Sequence, residues 1–275
     1  MLASKLRYLS DQAAFREDPV GVLLRLGWWW LRSRIPYPAS IYFKKWDLSL
    51  SVPPRWRGAA KLLYAFRERF ELELGALPHL VGPGACVVDV GACYGIYACL
   101  LGRLVGPAGK VYAFEPAQEA FVFLERNLGR NAITWAEAHR VACADFRGEA
   151  LLRHEPDPSR NALALSSLEK NLQAEKVKVV LLDDVVPQAD FLKLDVEGSE
   201  ELVLKGAMRL LTESRPMVLF EVNTGAACRL GLEPAGAWRL LSAFGYRFFR
   251  VERSGELSRI EEPLSYNNIL ALPRA

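Results

Sequence analysis

Short apolar runs alternate with longer stretches of helical period along most of the chain. ACVVDV (85–90) is apolar apart from Asp89 near its end, as expected of a parallel strand covered on both faces. Residues 95–104 read as a helix and KVYAF (110–114) as a second strand. Pro116 suits a helix first turn, and Gly129 or Asn131 ends that helix, with Phe121, Leu124 and Leu128 facing inward. Residues 137–143 predict a third strand, FLKLD (191–195) a fourth and PMVLFEV (216–222) a fifth, with a helix over 199–211 between the last two. A helix over 234–244 precedes a closing pair of strands, YRFFRV (246–251) and NNILAL (267–272). Residues 148–190 are less regular, with short strands at LLRH (151–154) and VKVVLL (177–182). Upstream, Leu62, Leu63, Phe66, Phe70 and Leu74 recur near helical spacing and predict a helix over 57–80. Strands separated by helix-length segments imply an α/β fold: a doubly wound, mainly parallel sheet. There is no internal repeat, so 56–275 is read as one domain.

Residues 1–55 break this rhythm and are read as an N-terminal helical, Trp-rich extension. Trp28, Trp29, Trp30 and Trp46 lie among basic residues, and Pro36, Pro38, Pro53 and Pro54 interrupt the segment. One or two helices followed by an irregular connection are expected. The tryptophans either pack onto the main domain or a second subunit, contact a substrate, or place residues 20–46 on a membrane surface, where Trp and Arg suit the headgroup region. The apolar run Val20 to Leu31 has 12 residues and contains Arg25, too short for the roughly 20 that span a bilayer.

Composition narrows the function. With 51% hydrophobic and 24% charged residues in 275, the chain is globular rather than disordered. A net charge of +3 lacks the basic bias of a dedicated nucleic-acid binder, and none is expected as partner. Cys86, Cys93, Cys99, Cys143 and Cys228 are odd in number, and no two are spaced as in a zinc knuckle. With no secretory-signal pattern, a reducing, cytoplasmic location is expected, with peripheral membrane contact and homo-oligomerisation as open alternatives.

In such sheets, ligands bind beyond the carboxyl ends of the strands. The first strand runs into DVGACYG (89–95), where Gly91 and Gly95 bring backbone close to a ligand and the next helix offers free N–H groups. Glu115, 24 residues beyond Gly91, ends the second strand and suits a ribose diol. A dinucleotide fingerprint needs a glycine where Cys93 stands, and an acid at Asp89 suits a cationic ligand better than a pyrophosphate. S-adenosylmethionine carries an ammonium and a sulfonium and no phosphate. Asp195 ends the fourth strand, where an uncompensated carboxylate is costly; Lys193 points to the same face, Glu197 follows in the turn, and Glu221 ends the fifth strand at the same rim. Glu200 and Glu201 read as first-turn helix stabilisers. Asp195, Glu197 and Glu221 have oxygen-ligand chemistry, but without geometry no metal site is assigned.

Three blocks carry a family resemblance: VVDVGACYGIYACLLG (87–102), VYAFEPAQEAFVFLERNL (111–128) and FLKLDVEGSEELVLKGA (191–207), with LLDDVV (181–186) and FEVN (220–223) beside the last. The chain resembles FkbM-family S-adenosylmethionine-dependent methyltransferases over about residues 65–272. The resemblance implies a class I methyltransferase (Rossmann-like) fold with a seven-stranded sheet, its last strand antiparallel. It implies Asp89, Gly91, Ala92, Tyr94 and Gly95 as the cofactor turn, Glu115 and Pro116 at the ribose, and Ala144 and Asp145 beside the adenine. Asn161 and Ser166 fall in a stretch the family uses near its active site. The expected activity is O-methylation of a hydroxyl on a small molecule or sugar. Asp195 is the first choice of base, with Glu197 and His154 in reserve, and Lys193 and Glu221 contact the substrate. The rival readings are an NAD-dependent oxidoreductase and a non-catalytic cofactor-binding or assembly protein.

Overall fold

The computed structural model describes residues 9–10, 12–53, 58–155, 160–164, 174–252, 254–263 and 266–274. Two helices, α1 (Ala13–Glu17) and α2 (Pro19–Arg32), are followed by strands β1 (Ala39–Phe43) and β2 (Leu48–Val52). The connection expected to be irregular is therefore an antiparallel hairpin, with Ile41 opposite Leu50. ASIYF and LSLSV alternate with the two-residue period of a strand, and the flanking prolines lie outside the paired residues. Ile41, Phe43, Leu48, Leu50 and Val52 are fully buried in the same core as residues 96–101. At about 2 kcal/mol per buried side chain, the hairpin contributes on the order of 10 kcal/mol of gross apolar burial.

The predicted 57–80 helix is two helices, α3 (Ala59–Phe66) and α4 (Leu72–Leu80). Arg67 breaks it by adopting φ +56, with its guanidinium 4.7 Å from the Tyr64 ring centre. Beyond it come β3 (Cys86–Val90), α5 (Ile96–Val105), β4 (Lys110–Phe114), α6 (Gln118–Arg130) and β5 (Ala136–His139). The third strand ends earlier than predicted. Its distal half, β6 (Ala142–Cys143), joins a second, four-stranded sheet with β7 (Gly148–Arg153), β8 (Ala162–Ala164) and β9 (Ala174–Val180). After α7 (Leu182–Val185), β10 (Phe191–Leu194) and α8 (Glu200–Lys205) follow. The predicted 199–211 helix is interrupted at Gly206, where any Cβ would overlap the Ala144 carbonyl, and resumes over 208–214. The chain closes with β11 (Met217–Asn223), α9 (Thr224–Arg229), α10 (Gly236–Ala243), β12 (Tyr246–Val251), β13 (Leu257–Ile260) and β14 (Tyr266–Pro273).

The central sheet has the order β13-β12-β14-β11-β10-β3-β4-β5. From β11 to β5 all neighbours are parallel, whereas β14 runs antiparallel to both β11 and β12. This is the expected doubly wound sheet with an antiparallel last strand, plus an eighth strand. The addition is β13, which folds back on β12 through a turn where Glu252 N–H donates to the Glu256 carbonyl at 2.8 Å.

Two asparagines bind the hairpin to the sheet layer. Asn127 Oδ1 accepts from Ser51 N–H at 2.7 Å, and its Nδ2 donates to the Ser51 and Tyr94 carbonyls at 3.0 and 2.7 Å. One turn later Asn131 makes the same reciprocal pair with Ser49, both bonds at 2.9 Å. Side-chain amides on α6 thus stand in for a neighbouring strand along β2.

Candidate active site

The carboxyl ends of β3, β4, β10 and β11 meet at the break in strand order between β3 and β10, where the adjacent crossovers run to opposite sides. The turn after β3 is fastened to β4, since Gly91 and Ala92 N–H both donate to the Phe114 carbonyl, at 2.9 and 3.0 Å. Gly91 has φ +81, and a Cβ there would overlap the Asp195 carbonyl, so only glycine lets β3 and β10 approach so closely. Gly95 has φ +85, and a Cβ would meet the Leu124 side chain at 2.7 Å. Cys93, at φ +48, is held by donating its N–H to Glu115 Oε2 at 2.8 Å. Glu115 Oε1 accepts from Ala117 N–H at the same distance. Burial outweighs these bonds and pushes the Glu115 acid up to about 7.

Lys193 is at the centre of the charges. It lies on β10, paired in register with Asp89 on β3, and is fully buried. Its Nζ is 3.5 Å from Asp195 Oδ2, donates to the Leu194 carbonyl at 3.3 Å and sits 5.1 Å from the Tyr97 ring centre. Burial alone would lower its pKa; Asp195, Glu71, Glu221 and Asp89 reverse this and hold the ammonium charged. Asp89 is buried, its Oδ2 has no hydrogen-bond partner, and desolvation raises its acid to about 7. Tyr97 donates its hydroxyl to Glu71 at 2.5 Å, and burial lifts Glu71 to about 7 as well.

Asp195, Glu197 and Glu221 converge, each with a carboxylate oxygen within 4.8 Å of the others. Asn223 caps α9 with Oδ1, which accepts from Ala226 N–H at 3.0 Å, and donates from Nδ2 to Glu197 at 3.2 Å. Glu221 Oε2 is buried without a partner, and burial followed by repulsion from Asp195, Glu197 and Glu200 pushes this acid up to about 9. The spacing is one that could hold a cation, and the Lys193 ammonium lies beside it, 3.5 Å from Asp195. Glu200 is a local clamp, with Oε1 accepting from Val196 and Gly198 N–H at 3.1 and 3.2 Å.

Two connected hollows open here. A narrow cleft has Glu115, Pro116, Val141, Ala142, Cys143 and Asn161 in its wall. A larger cavity of about 420 Å³ is walled by α3 and by Glu71, Asp89, Ala92, Tyr94, Lys193, Glu197 and Glu221. Gly91, Cys93 and Asp195 belong to both. Asp89 and Glu115 thus face adjoining hollows across one shared wall.

Three expected residues stand elsewhere. Ala144 and Asp145 line neither hollow: Ala144 is buried with its N–H on the Val180 carbonyl, and Asp145 is exposed. The preceding Val141 to Cys143 form the wall instead. His154 also lines neither, and its Nε2 lies 3.5 Å from Glu175. Ser166 lies outside the described residues. Sequence reasoning missed Glu71, Tyr97, Arg160 and Asn268, all in the wall of the larger cavity. Glu71 and Asn268 come from elements far apart in the chain, with no shared motif to mark them.

The sequence profile of the FkbM methyltransferase domain matches residues 89–248, which is 160 of the 275 residues. The chain belongs to the FkbM methyltransferase family. Hexuronic acid methyltransferase AglP of Haloferax volcanii is 29% identical over 160 residues, covering 56% of this chain and 60% of that protein. The match therefore spans about three-fifths of the length of that curated relative. The crystal structure of methyltransferase FkbM from Methylobacillus flagellatus aligns at 17% identity with a TM-score of 0.45, over 79% of this chain and 56% of that one. An O-methyltransferase from Bacillus cereus in complex with SAH aligns at 14% identity with a TM-score of 0.41, over 74% and 78%.

The cofactor of this FkbM chain is S-adenosylmethionine. The residues present fit it. Asp89 has a buried carboxylate oxygen without a partner, where a cationic ammonium compensates the desolvated charge. Each Glu115 oxygen accepts one backbone bond and keeps acceptor capacity for a ribose hydroxyl. The cleft beside it has the apolar wall that an adenine face needs.

Proposed function

We propose that this FkbM protein transfers a methyl group from S-adenosylmethionine to a hydroxyl oxygen of a small molecule or sugar. The observation that carries this reading is the position of Asp195, in the wall shared by the cleft and the large cavity. The bound cofactor supplies an electrophilic methyl on its sulfonium. Asp89 and Glu115 bind its two ends, and the glycine turn at 91–95 keeps the backbone close. Asp195 accepts the acceptor's hydroxyl proton at Oδ, and Lys193, 3.5 Å from it, orients and partners this carboxylate. Glu197 and Glu221 border the acceptor position, with Lys193 below them.

The cavity wall supports a polyhydroxyl acceptor. Asp195, Glu71 and Glu197 offer hydrogen-bond acceptors on this wall, matching the donor groups of a sugar, while Asp89 is left to the cofactor. A relative that methylates a hexuronic acid supports the same class.

Alignment of donor and acceptor supplies ~7–11 kcal/mol in well-oriented reactions, and a general base adds roughly 10²–10⁴-fold. Asp195→Asn is therefore expected to bind S-adenosylmethionine within about twofold of wild type by calorimetry while methylation of a sugar acceptor falls by at least ~10²-fold. Equal turnover would remove Asp195 from this role. Cofactor binding by wild type with no methyl transfer to any hydroxyl-bearing acceptor would favour a binding or assembly protein.

A further inference from the structure

Helix α2 has apolar residues on opposite sides. Its inner face is anchored: Val22 and Trp29 are buried, the Trp29 ring centre lies 5.2 Å from that of Tyr64 on α3, and Arg25 Nε donates to the Ala65 carbonyl at 2.7 Å. Asp18 caps its start by accepting from Gly21 N–H at 2.8 Å. The helix is thus formed and fixed on its inner side alone. At about 100° per residue, Val20, Leu23, Leu24, Trp28, Trp30 and Leu31 fill an outward arc of about 160°. These six side chains are 50% to 69% exposed, and no charged residue interrupts the arc. Contiguous exposed apolar surface of this kind marks an interaction site.

The surrounding charge identifies the partner. From Pro19 to Trp46 there are five basic residues, Arg25, Arg32, Arg34, Lys44 and Lys45, and no acidic one. Arg25 and Arg32 border the arc, and the Arg34 guanidinium lies 3.4 Å from the Trp30 ring centre. Ile35 and Tyr37, just beyond the helix, are exposed as well. Arg25 is paired with Asp18 at 3.1 Å, so a second copy docking by two-fold symmetry would bring Arg32 and Arg34 of both copies together at the edge of the apolar centre. Anionic headgroups would instead neutralise them, and Trp and Arg both suit that interfacial layer. The helix has 14 residues, about 21 Å at 1.5 Å per residue, against the ~30 Å hydrocarbon thickness. No helix among the described residues is long and apolar enough to cross a membrane.

We propose that α2 lies in the interface of an anionic lipid bilayer, with its outer apolar face in the acyl boundary and Arg32 and Arg34 at the phosphates. The proposal does not depend on the methyltransferase reading. It is tested by flotation of the full chain with vesicles of phosphatidylcholine mixed with phosphatidylglycerol, against phosphatidylcholine alone. Wild type is expected to float with the anionic vesicles and to be largely released by high salt. Arg32→Glu/Arg34→Glu is expected to lower partitioning at least about five-fold per residue. Leu24→Glu/Leu31→Glu, both on the exposed arc, is expected to abolish flotation at unchanged Tm. Failure of wild type to float, or equal flotation by Arg32→Glu/Arg34→Glu, overturns the proposal. A wild-type dimer in light scattering that Leu24→Glu/Leu31→Glu dissolves, with no vesicle binding, also overturns it and assigns the face to a second copy.

Discussion

Replacing Glu221 with glutamine turns the electrostatics of the rim into a measurable pH slope. Glu221 is half-buried on β11 with its Oε2 enclosed and unpartnered, and its acid stands at about 9 against an ordinary 4.5. Burial is the main cause, followed by repulsion from Asp195, Glu197 and Glu200. A folded-state pKa above the unfolded one means that the folded chain keeps a proton the unfolded chain releases. The stabilisation is complete below pH 4.5 and is lost as pH rises to about 9, beyond which the curve is flat. At ~1.4 kcal/mol per pH unit, the loss from this group is about 3 kcal/mol by pH 7 and about 6 kcal/mol by pH 9. Glutamine has the shape of the neutral acid and does not titrate. Urea unfolding followed by tryptophan fluorescence should therefore find Glu221→Gln close to wild type in mild acid and increasingly more stable than wild type toward pH 9. Two parallel stability curves would refute the reasoning, because Glu221 would then be ionised at neutral pH and fully compensated by Lys193.

The other predictions probe the cofactor half. Gly91→Ala forces a Cβ against the Asp195 carbonyl at φ +81, so calorimetry should find S-adenosylmethionine affinity reduced at least about tenfold, with a lowered Tm; wild-type values in both would mean that the turn is not rigid. Glu115→Ala leaves the Cys93 and Ala117 N–H groups without their acceptor, at about 1–3 kcal/mol each, and should weaken cofactor binding in the same assay; unchanged affinity would remove Glu115 from the ribose. His154→Ala should leave turnover within about twofold, as expected for a surface residue paired with Glu175; a loss near 10²-fold would bring it back as a base.

The parallel strands were legible because their signal is local. ACVVDV, KVYAF and FLKLD are apolar runs closed by turn residues, and the structure has strands at each. The hairpin at 39–52 was obscured because the flanking prolines outweighed its two-residue alternation. The break at Gly206 goes with a tertiary contact, the Ala144 carbonyl, which no window of sequence contains, whereas the break at Arg67 is a local turn to φ +56 that the apolar spacing of 57–80 does not register. The candidate site divides the same way. Asp89, Gly91, Glu115 and Asp195 follow from strand ends in a known topology. Glu71, Tyr97 and Asn268 reach the cavity only through packing of α4, α5 and β14 around buried Lys193. Val141 to Cys143, rather than Ala144 and Asp145, line the cleft because the third strand switches sheets after His139.

The reciprocal bonds of Asn127 and Asn131 bear on where this protein can be cut. A shortened version starting at residue 56 would strip β2 from α6 and leave two amides and a bared apolar layer facing water. Because Asn127 also grips the Tyr94 carbonyl inside the glycine turn, the damage would reach the cofactor. An expression fragment meant to isolate the catalytic half therefore has to begin ahead of Ala39.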